Sequence, residues 1–405
     1  MTRSLVLATA TVLITFGFSS NAIAQKKYGP GVTDTEVKIG QTVPYSGPIS
    51  YSLAIFGRIE AAYLRKINES GGISGRKIKL ISLDDAFSPP KTVEQTRKLV
   101  ESDEVLGIVG SIGTPTNLAT SKYLNSKGVP QILLLASTPK LDDPDNLPWT
   151  TTFMMSQLIE TRIHAAYLLK SKPDAQVAVI YQNDDLGKGN LAGFKTALGA
   201  QASTMIVQEA AYDVMEPMVD AQILQLKASG ADTLFHASSA RFAALSIRKA
   251  HEIGWKVQHV LLSGVSGIAS VLRPAGLEAS TGALTSVWLK SSENPVWDAD
   301  ADMKDYRAFM KQWAPGELVE DSIFAYATAQ MIVEVLKRCG DDLTRENLLK
   351  QATNVRDFQL PLFIPGIKIN TSPTQRLAWR QASMARFDGV KWVPFGDVMS
   401  FPAER

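Results

Sequence analysis

Residues 110–116, Gly-Ser-Ile-Gly-Thr-Pro-Thr, place three hydroxyls and two glycines between a strand-like run and a helix-like run. A helix N-terminus offers unpaired N–H groups and the positive end of its dipole, so it holds anions. Ser111, Thr114 and Thr116 add hydroxyl donors, and Gly113 lets the backbone approach a ligand closely. The chemistry suited to this pattern is non-covalent capture of an anion. The competing reading makes Thr114 or Thr116 only a helix cap, and one set of atoms can serve both purposes.

Patterns for covalent or metal chemistry are missing from the sequence. The four histidines, His164, His236, His251 and His259, show no HExxH or other metal spacing. His236 ends a strand and is expected to face a cleft, where it can hydrogen-bond a ligand. Gly264-Val265-Ser266-Gly267 lacks the final spacing of a nucleophile elbow. Gly187, Gly189 and Gly193 imitate a dinucleotide fingerprint, but the last interval is one residue too long, and Asp184-Asp185 would repel a pyrophosphate. No catalytic residue, metal or cofactor is expected.

Positioning these residues requires alternating strands and helices. Val37–Val43, Lys77–Leu83, Val105–Val109 and Gln131–Leu135 read as strands. Ile55, Ile59, Tyr63 and Ile67 recur every four residues on one helix face, which Gly71-Gly72 ends. Pro89-Pro90 opens a second helix, and Asn117–Asn125 is a third. The pattern then restarts with a helix over Ser156–Lys170. Strands follow at Val177–Tyr181, Met205–Glu209, Thr233–His236 and Val260–Leu262, with helices between them. Beyond about residue 283 the pattern loosens to one long helix, carrying Ala325, Ala329, Ile332 and Leu336, and strand-like pieces at Ile367–Ile369 and Met384–Phe387. Such alternation implies an α/β fold of parallel sheets with crossover helices. Ligands of open parallel sheets collect outside the carboxyl ends of the strands, and two such sheets facing one another enclose a cleft.

Residues 1–24 read as a secretory signal peptide: Arg3, an apolar run from Leu5 to Phe18, and the small-x-small site Ala22-Ile23-Ala24. The run is shorter than the ~20 residues that span a bilayer. An exported, soluble periplasmic chain of ~380 residues is expected. Without Arg3, 41 Lys+Arg face 40 Asp+Glu, and this balance draws the chain toward neither nucleic acid nor anionic lipid. The single cysteine, Cys339, follows an apolar helical run and reads as a core residue.

Several segments, in order, resemble the periplasmic solute-binding proteins of ABC importers, in the branched-chain amino-acid (leucine-binding) type. They are Lys38-Ile39-Gly40 running into Pro44-Tyr45-Ser46-Gly47-Pro48, residues 67–78, and Asp84-Asp85 with Pro89-Pro90-Lys91-Thr92. Residues 105–110 and 179–184, and Gly187-Lys188-Gly189, complete the set. The resemblance implies a type I periplasmic-binding fold: two doubly wound parallel-sheet lobes joined by three hinge crossings. Lobe I would take residues 25–153 and 286–380, and lobe II residues 154–285 and 381–405. It implies a monomer that closes on a small molecule and docks on a membrane permease. A ligand-sensing module of the same fold is the competing reading.

The resemblance also assigns site residues. The position matching Thr114 binds the ligand carboxylate. Ser137 and Thr138 match a second polar contact, with Leu135 beside them. Tyr51 stands near the place of a family aromatic, and either closes over a ligand or is an ordinary exposed loop tyrosine. The family's tyrosines are replaced by Leu186 and Ser239, and its ammonium-binding acid by Ser263. Trp149 lies near the first implied crossing and can pack beneath the hinge or touch the ligand. A buried ammonium without a counter-charge costs several kcal/mol. The expectation is therefore a small carboxylate lacking an α-amino group, preferably an aromatic acid, unless Asp184 or Asp185 substitutes for the missing acid. A branched-chain or other amino acid is the alternative cargo.

Overall fold

The computed structural model describes residues 26–136, 138–320 and 322–401. The signal-peptide reading and Ser137 lie outside these residues. The first sheet has five strands: β1 (Glu36–Val43), β2 (Lys77–Asp84), β3 (Ile108–Val109), β4 (Gln131–Leu134) and β5 (Thr150–Thr152). They lie in the order β2-β1-β3-β4-β5, every pair parallel. Helices α1 (Ser50–Glu69), α2 (Pro89–Glu101) and α3 (Thr114–Ser126) make the crossovers.

The second sheet has seven strands, beginning after α4 (Gln157–Ser171). These are β6 (Val177–Gln182), β7 (Ile206–Tyr212), β8 (Thr233–Ala237), β9 (Gln258–Leu261), β10 (Leu284–Val287), β11 (Gln381–Phe387) and β12 (Trp392–Ser400). Its order is β12-β11-β10-β9-β8-β6-β7, parallel except where β11 pairs antiparallel with β10 and β12. Helices α5 (Asp185–Leu198), α6 (Asp220–Ala228) and α7 (Ala240–Glu252) connect the strands. The remaining long helices are α8 (Ala301–Trp313) and α9 (Ile323–Cys339), and α9 packs on α1 of the first lobe. The result is an α/β fold of two parallel-sheet lobes.

Several sequence-based boundaries shift. Of the strand expected over Val105–Val109, only Ile108–Val109 pairs. Ile367–Ile369 forms no strand; Ile369 makes only an isolated bridge to Phe358. The expected crossing at 285/286 falls inside β10, whose residues Leu284–Val287 belong to the second sheet.

Hydrophobic periodicity accounts for the packing. On α1, Ala54, Ile55, Ile59, Ala62 and Leu64 are buried, and Gly72 N–H closes the helix on Ile67 O at 2.9 Å. Glu60 is the exception on this face. Its carboxyl accepts from Gln41 Nε2, its Oε1 has no partner among the described residues, and burial raises its pKa well above the usual carboxylate range. A raised value for a buried acid means that the folded state pays increasingly as pH rises above the unfolded value near 4.5. Glu60→Gln is expected to remove that alkaline-side loss while changing stability at pH 4 by less than ~1 kcal/mol. Urea titrations of both chains at pH 4 and pH 8 test this, and parallel pH profiles would refute it.

Candidate functional site

A cavity of about 260 Å³ opens between the two sheets, lined by residues of both lobes. That is near the lower end of the roughly 300–1,000 Å³ of small-molecule sites. Its walls are mostly apolar, with Phe56, Phe87, Trp288, Phe324 and Trp392 as the aromatic contributors. Trp288 packs edge-on to Phe324, with ring centroids 6.0 Å apart.

One wall is the start of α3. Gly113 precedes it with φ of 116°, a conformation that favours glycine, and an added Cβ there would lie 2.3 Å from Thr116 Oγ1. Thr114 is the first helical residue, is buried, and lines the cavity together with Gly113. The geometry suits an anion at a helix N-terminus.

Leu135, Leu186, Ser239 and Ser263 also line the cavity. The structure therefore brings together five of the twelve residues singled out from the sequence. Tyr51 is at the mouth, 48 % exposed, where its hydroxyl donates to Ser270 O of the opposite lobe at 3.3 Å. Beside it in role, Lys140 of the first lobe pairs with Asp185 of the second.

The other expectations need correction. Ser111 is buried behind the wall, its Oγ accepting from Thr42 N–H at 2.9 Å. Thr116 Oγ1 donates to Gly113 O at 3.0 Å and holds the helix start rather than a ligand. Thr138 caps the short turn Pro139–Leu141 by accepting from Lys140 N–H at 3.3 Å. Trp149 precedes β5, at the amino end of the strand, and its backbone N–H donates to Asn125 Oδ1 at 2.7 Å. The cleft is at the other end of β5, ~10 Å away at the rise of a strand. His236 sits within β8, which runs one residue further than expected, to Ala237. Its Nε2 meets His259 Nδ1 at 3.0 Å inside the lobe, and it is Ser238 and Ser239 that emerge into the cleft. Asp184 caps α5, accepting from Leu186 N–H at 2.9 Å, so neither it nor Asp185 serves as an acid facing the cleft.

The residue that sequence reasoning missed is Glu160, in the first turn of α4. It is buried, lines the cavity, and its Oε1 accepts from Ser263 N–H at 2.5 Å and Ser286 Oγ at 2.8 Å. An acid thus stands at Ser263, where the sequence shows a serine, and the expected absence of a negative group from the cleft is corrected. Burial raises the Glu160 carboxyl above its usual range, opposed by its Ser263 and Ser286 hydrogen bonds. The only available signal was position: a helix opening straight after the first crossing points its first turn at the cleft. Glu320, half-buried, accepts from Ser292 N–H at 2.5 Å, and Lys290 pairs with Asp300 at 2.8 Å. Among the described residues, no group of three or more His, Cys, Asp or Glu is placed to hold a metal ion, and no helix is long and apolar enough to cross a membrane.

Comparisons with known proteins agree with this architecture. The alignment with a Leu/Ile/Val-binding protein homolog 7 of Brucella abortus (strain 2308) is 27% identical over 255 residues, 60% of this chain and 62% of that relative. The chain thus spans less than two thirds of that relative's length. A Leu/Ile/Val-binding protein homolog 3 of Brucella melitensis is 26% identical over 83% of this chain and 85% of its own. Among solved structures, a branched-chain amino acid ABC transporter protein from Thermus thermophilus with bound valine superposes with a TM-score of 0.82 at 17% identity, covering 91% of this chain and 98% of that one. A fatty acid ABC transporter substrate-binding protein from Thermomonospora curvata gives 0.78 at 19% identity, over 93% and 95%. At these identities the structural likeness concerns the fold. Residues 36–390 match the family model described as periplasmic binding protein. The chain belongs to the periplasmic binding protein family.

Proposed function

We propose that the chain is the extracytoplasmic solute-binding component of an ABC importer and captures a small carboxylate with an apolar body. The observation that carries this reading is the apolar, aromatic-walled cleft with the Gly113–Thr114 helix start on one side. Thr114 Oγ1 and the first N–H groups of α3 would take the carboxylate, and Phe56, Phe87, Leu186 and Trp392 the body. The cargo named for two structural neighbours, valine and a fatty acid, shares an apolar body and an acid group. The aromatic walls also suit an aromatic acid.

Each lobe supplies part of the contact set, so a ligand favours the closed form by its differential affinity for the two states. Hinges near 153/154, 287/288 and 380/381 would allow this motion, with Tyr51–Ser270 and Lys140–Asp185 meeting across the mouth. The partner is a membrane permease, and the working unit is a monomer. Calorimetry with leucine, phenylalanine, benzoate and 4-hydroxycinnamate tests the reading. At least one is expected to bind near the micromolar range, about −8 kcal/mol. Thr114→Val is expected to weaken that binding at least tenfold. No binding by any of the four, or unchanged affinity in Thr114→Val, would sink it.

A further inference from the structure

A cluster of aromatic rings stands behind one wall of the cleft. The chain passes between the two sheets after β5, after β10 and before β11. An aromatic residue marks each passage: Phe153 directly follows β5, Trp288 directly follows β10, and Trp379 lies shortly before β11. All three converge on Phe324 of α9, whose ring centroid is 6.0 Å from each of theirs. Trp379 is also 5.2 Å from Phe153, 5.6 Å from Trp288 and 5.0 Å from Phe363.

The cluster has two sides. Trp288 and Phe324 line the cavity, whereas Phe153 and Trp379 are buried behind them, outside its lining. The indole N–H groups of Trp288 and Trp379 are both buried without a hydrogen-bond partner among the described residues. An indole has no other polar group, so packing alone sets where these rings lie. Protein interiors are packed as densely as organic crystals, and a ring moves only where space opens behind it. The rings behind the wall therefore keep Trp288 and Phe324 forward in the cavity. On the other flank, Phe56 of α1 meets Phe324 edge-on at 6.1 Å and continues the same wall. The backbones beneath are held too: Phe153 N–H donates to Leu134 O at 2.7 Å, and Trp288 O accepts from Ile364 N–H at 2.8 Å. Because the same rings seat the three passages, the wall cannot retreat without shifting a passage, and this makes it stiff.

We propose that Trp379, together with Phe153, is a positioning residue that sets from behind how long an apolar body the cleft accepts. This rests on the capture reading and deepens it, since it assigns the length limit to residues that do not touch the ligand. A large-to-small change at a packed position leaves a void that its neighbours fill only in part. Trp379→Leu opens such a void against Trp288 and Phe324, the wall retreats into it, and the pocket gains length. The Gly113–Thr114 end stays in place, because Gly113 N–H donates to Leu135 O at 3.1 Å and Gly113 O accepts from Asn117 Nδ2 at 2.8 Å. Trp379→Phe keeps a ring in contact with the wall and removes an unpaired donor, so the wall stays forward.

The test is calorimetry on the purified chain with benzoate, phenylacetate, 3-phenylpropanoate, 4-phenylbutanoate and 6-phenylhexanoate, each beside its primary amide. In the unaltered chain, affinity is expected to peak within this series. Trp379→Leu should move the peak to a longer member and raise the affinity for that member, relative to the original best, at least tenfold. Trp379→Phe should hold the same ratio within threefold. A loss of stability alone would leave the peak where it was. An unmoved peak in Trp379→Leu, or an equal shift in Trp379→Phe, overturns the proposal; acids bound more tightly than their amides would then leave carboxylate capture standing. A moved peak with acids and amides bound alike supports the role of Trp379 and overturns carboxylate capture. Binding of no member to the unaltered chain overturns both. Should Trp379→Leu fail to fold, Phe153→Leu decides: it should move the peak in the same direction, and an unmoved peak overturns the proposal.

Discussion

Between pH 7 and pH 4, the stability margin of a His164→Leu variant over the unaltered chain is expected to widen by about 3 kcal/mol. His164 is fully buried on α4, its ring edge-on to Phe235, and neither ring nitrogen has a partner among the described residues. Burial holds its imidazole down at about 3, against an ordinary value near 6.5. Below pH 6.5 the unfolded chain takes up a proton that the folded chain refuses. Stability is therefore lost progressively as pH falls toward 3, and nothing further is lost below that. A leucine removes the refusal and the unsatisfied nitrogens together, so it should also stabilise at pH 7, by roughly 1–3 kcal/mol. His259, held at about 4 by burial, and its partner His236 add losses of the same sign within the same lobe. The raised carboxyls of Glu60 and Glu160 act oppositely above pH 4.5, so the difference between the two chains, rather than either profile alone, isolates the histidine. Urea titrations at pH 7, 5.5 and 4 measure it. A margin constant with pH would mean that His164 is already charged or solvated in the fold.

The same histidines show where sequence legibility ends. The alternation of strands and helices was readable because it is local: β1, β2, α1 and α4 each declare themselves through the spacing of their own apolar residues. A side chain's face is less secure. Ending β8 at His236 rather than Ala237 aimed the imidazole at the cleft, and successive residues of a strand point to opposite sides. Trp149 failed for a related reason, since the crossing lies at the far end of β5. Glu160 had only its position in the first turn of α4 to mark it. Its meaning depends on Ser263 and Ser286, which are 103 and 126 residues away, and nothing in the local pattern links them. β12 was missed because it is an edge strand carrying Pro394 and Gly396, largely exposed, with no apolar alternation to mark it. The residues at α3's start were readable as a site because chemistry and local geometry coincide there, at Gly113 and Thr114.

A second large effect is expected from Gly187→Ala, a change that helix propensity alone would favour by up to ~1 kcal/mol. Gly187 lies in the first turn of α5, where an added Cβ would fall 2.0 Å from Gln182 O and 2.5 Å from Gln182 N. Both are backbone atoms of β6, so no side chain can swing aside, and the strand-to-helix turn must open. Asp184 in that turn accepts from Leu186 and Gly187 N–H at 2.9 and 3.2 Å, and opening the turn weakens this cap as well. Overpacking and the weakened cap together should cost on the order of 3 kcal/mol, outweighing the propensity gain. The disturbance reaches the cleft by two routes. Leu186 precedes the substitution directly. Tyr212 OH donates to Gln182 Oε1 at 3.2 Å and accepts from Ser239 N–H at 2.9 Å, linking the turn to a second lining residue. Capture should therefore weaken at least tenfold, in a variant that still folds at low temperature. The sign of the stability change decides the matter: a variant more stable in urea than the parent would show that the helix start stands farther from β6 than this close approach requires.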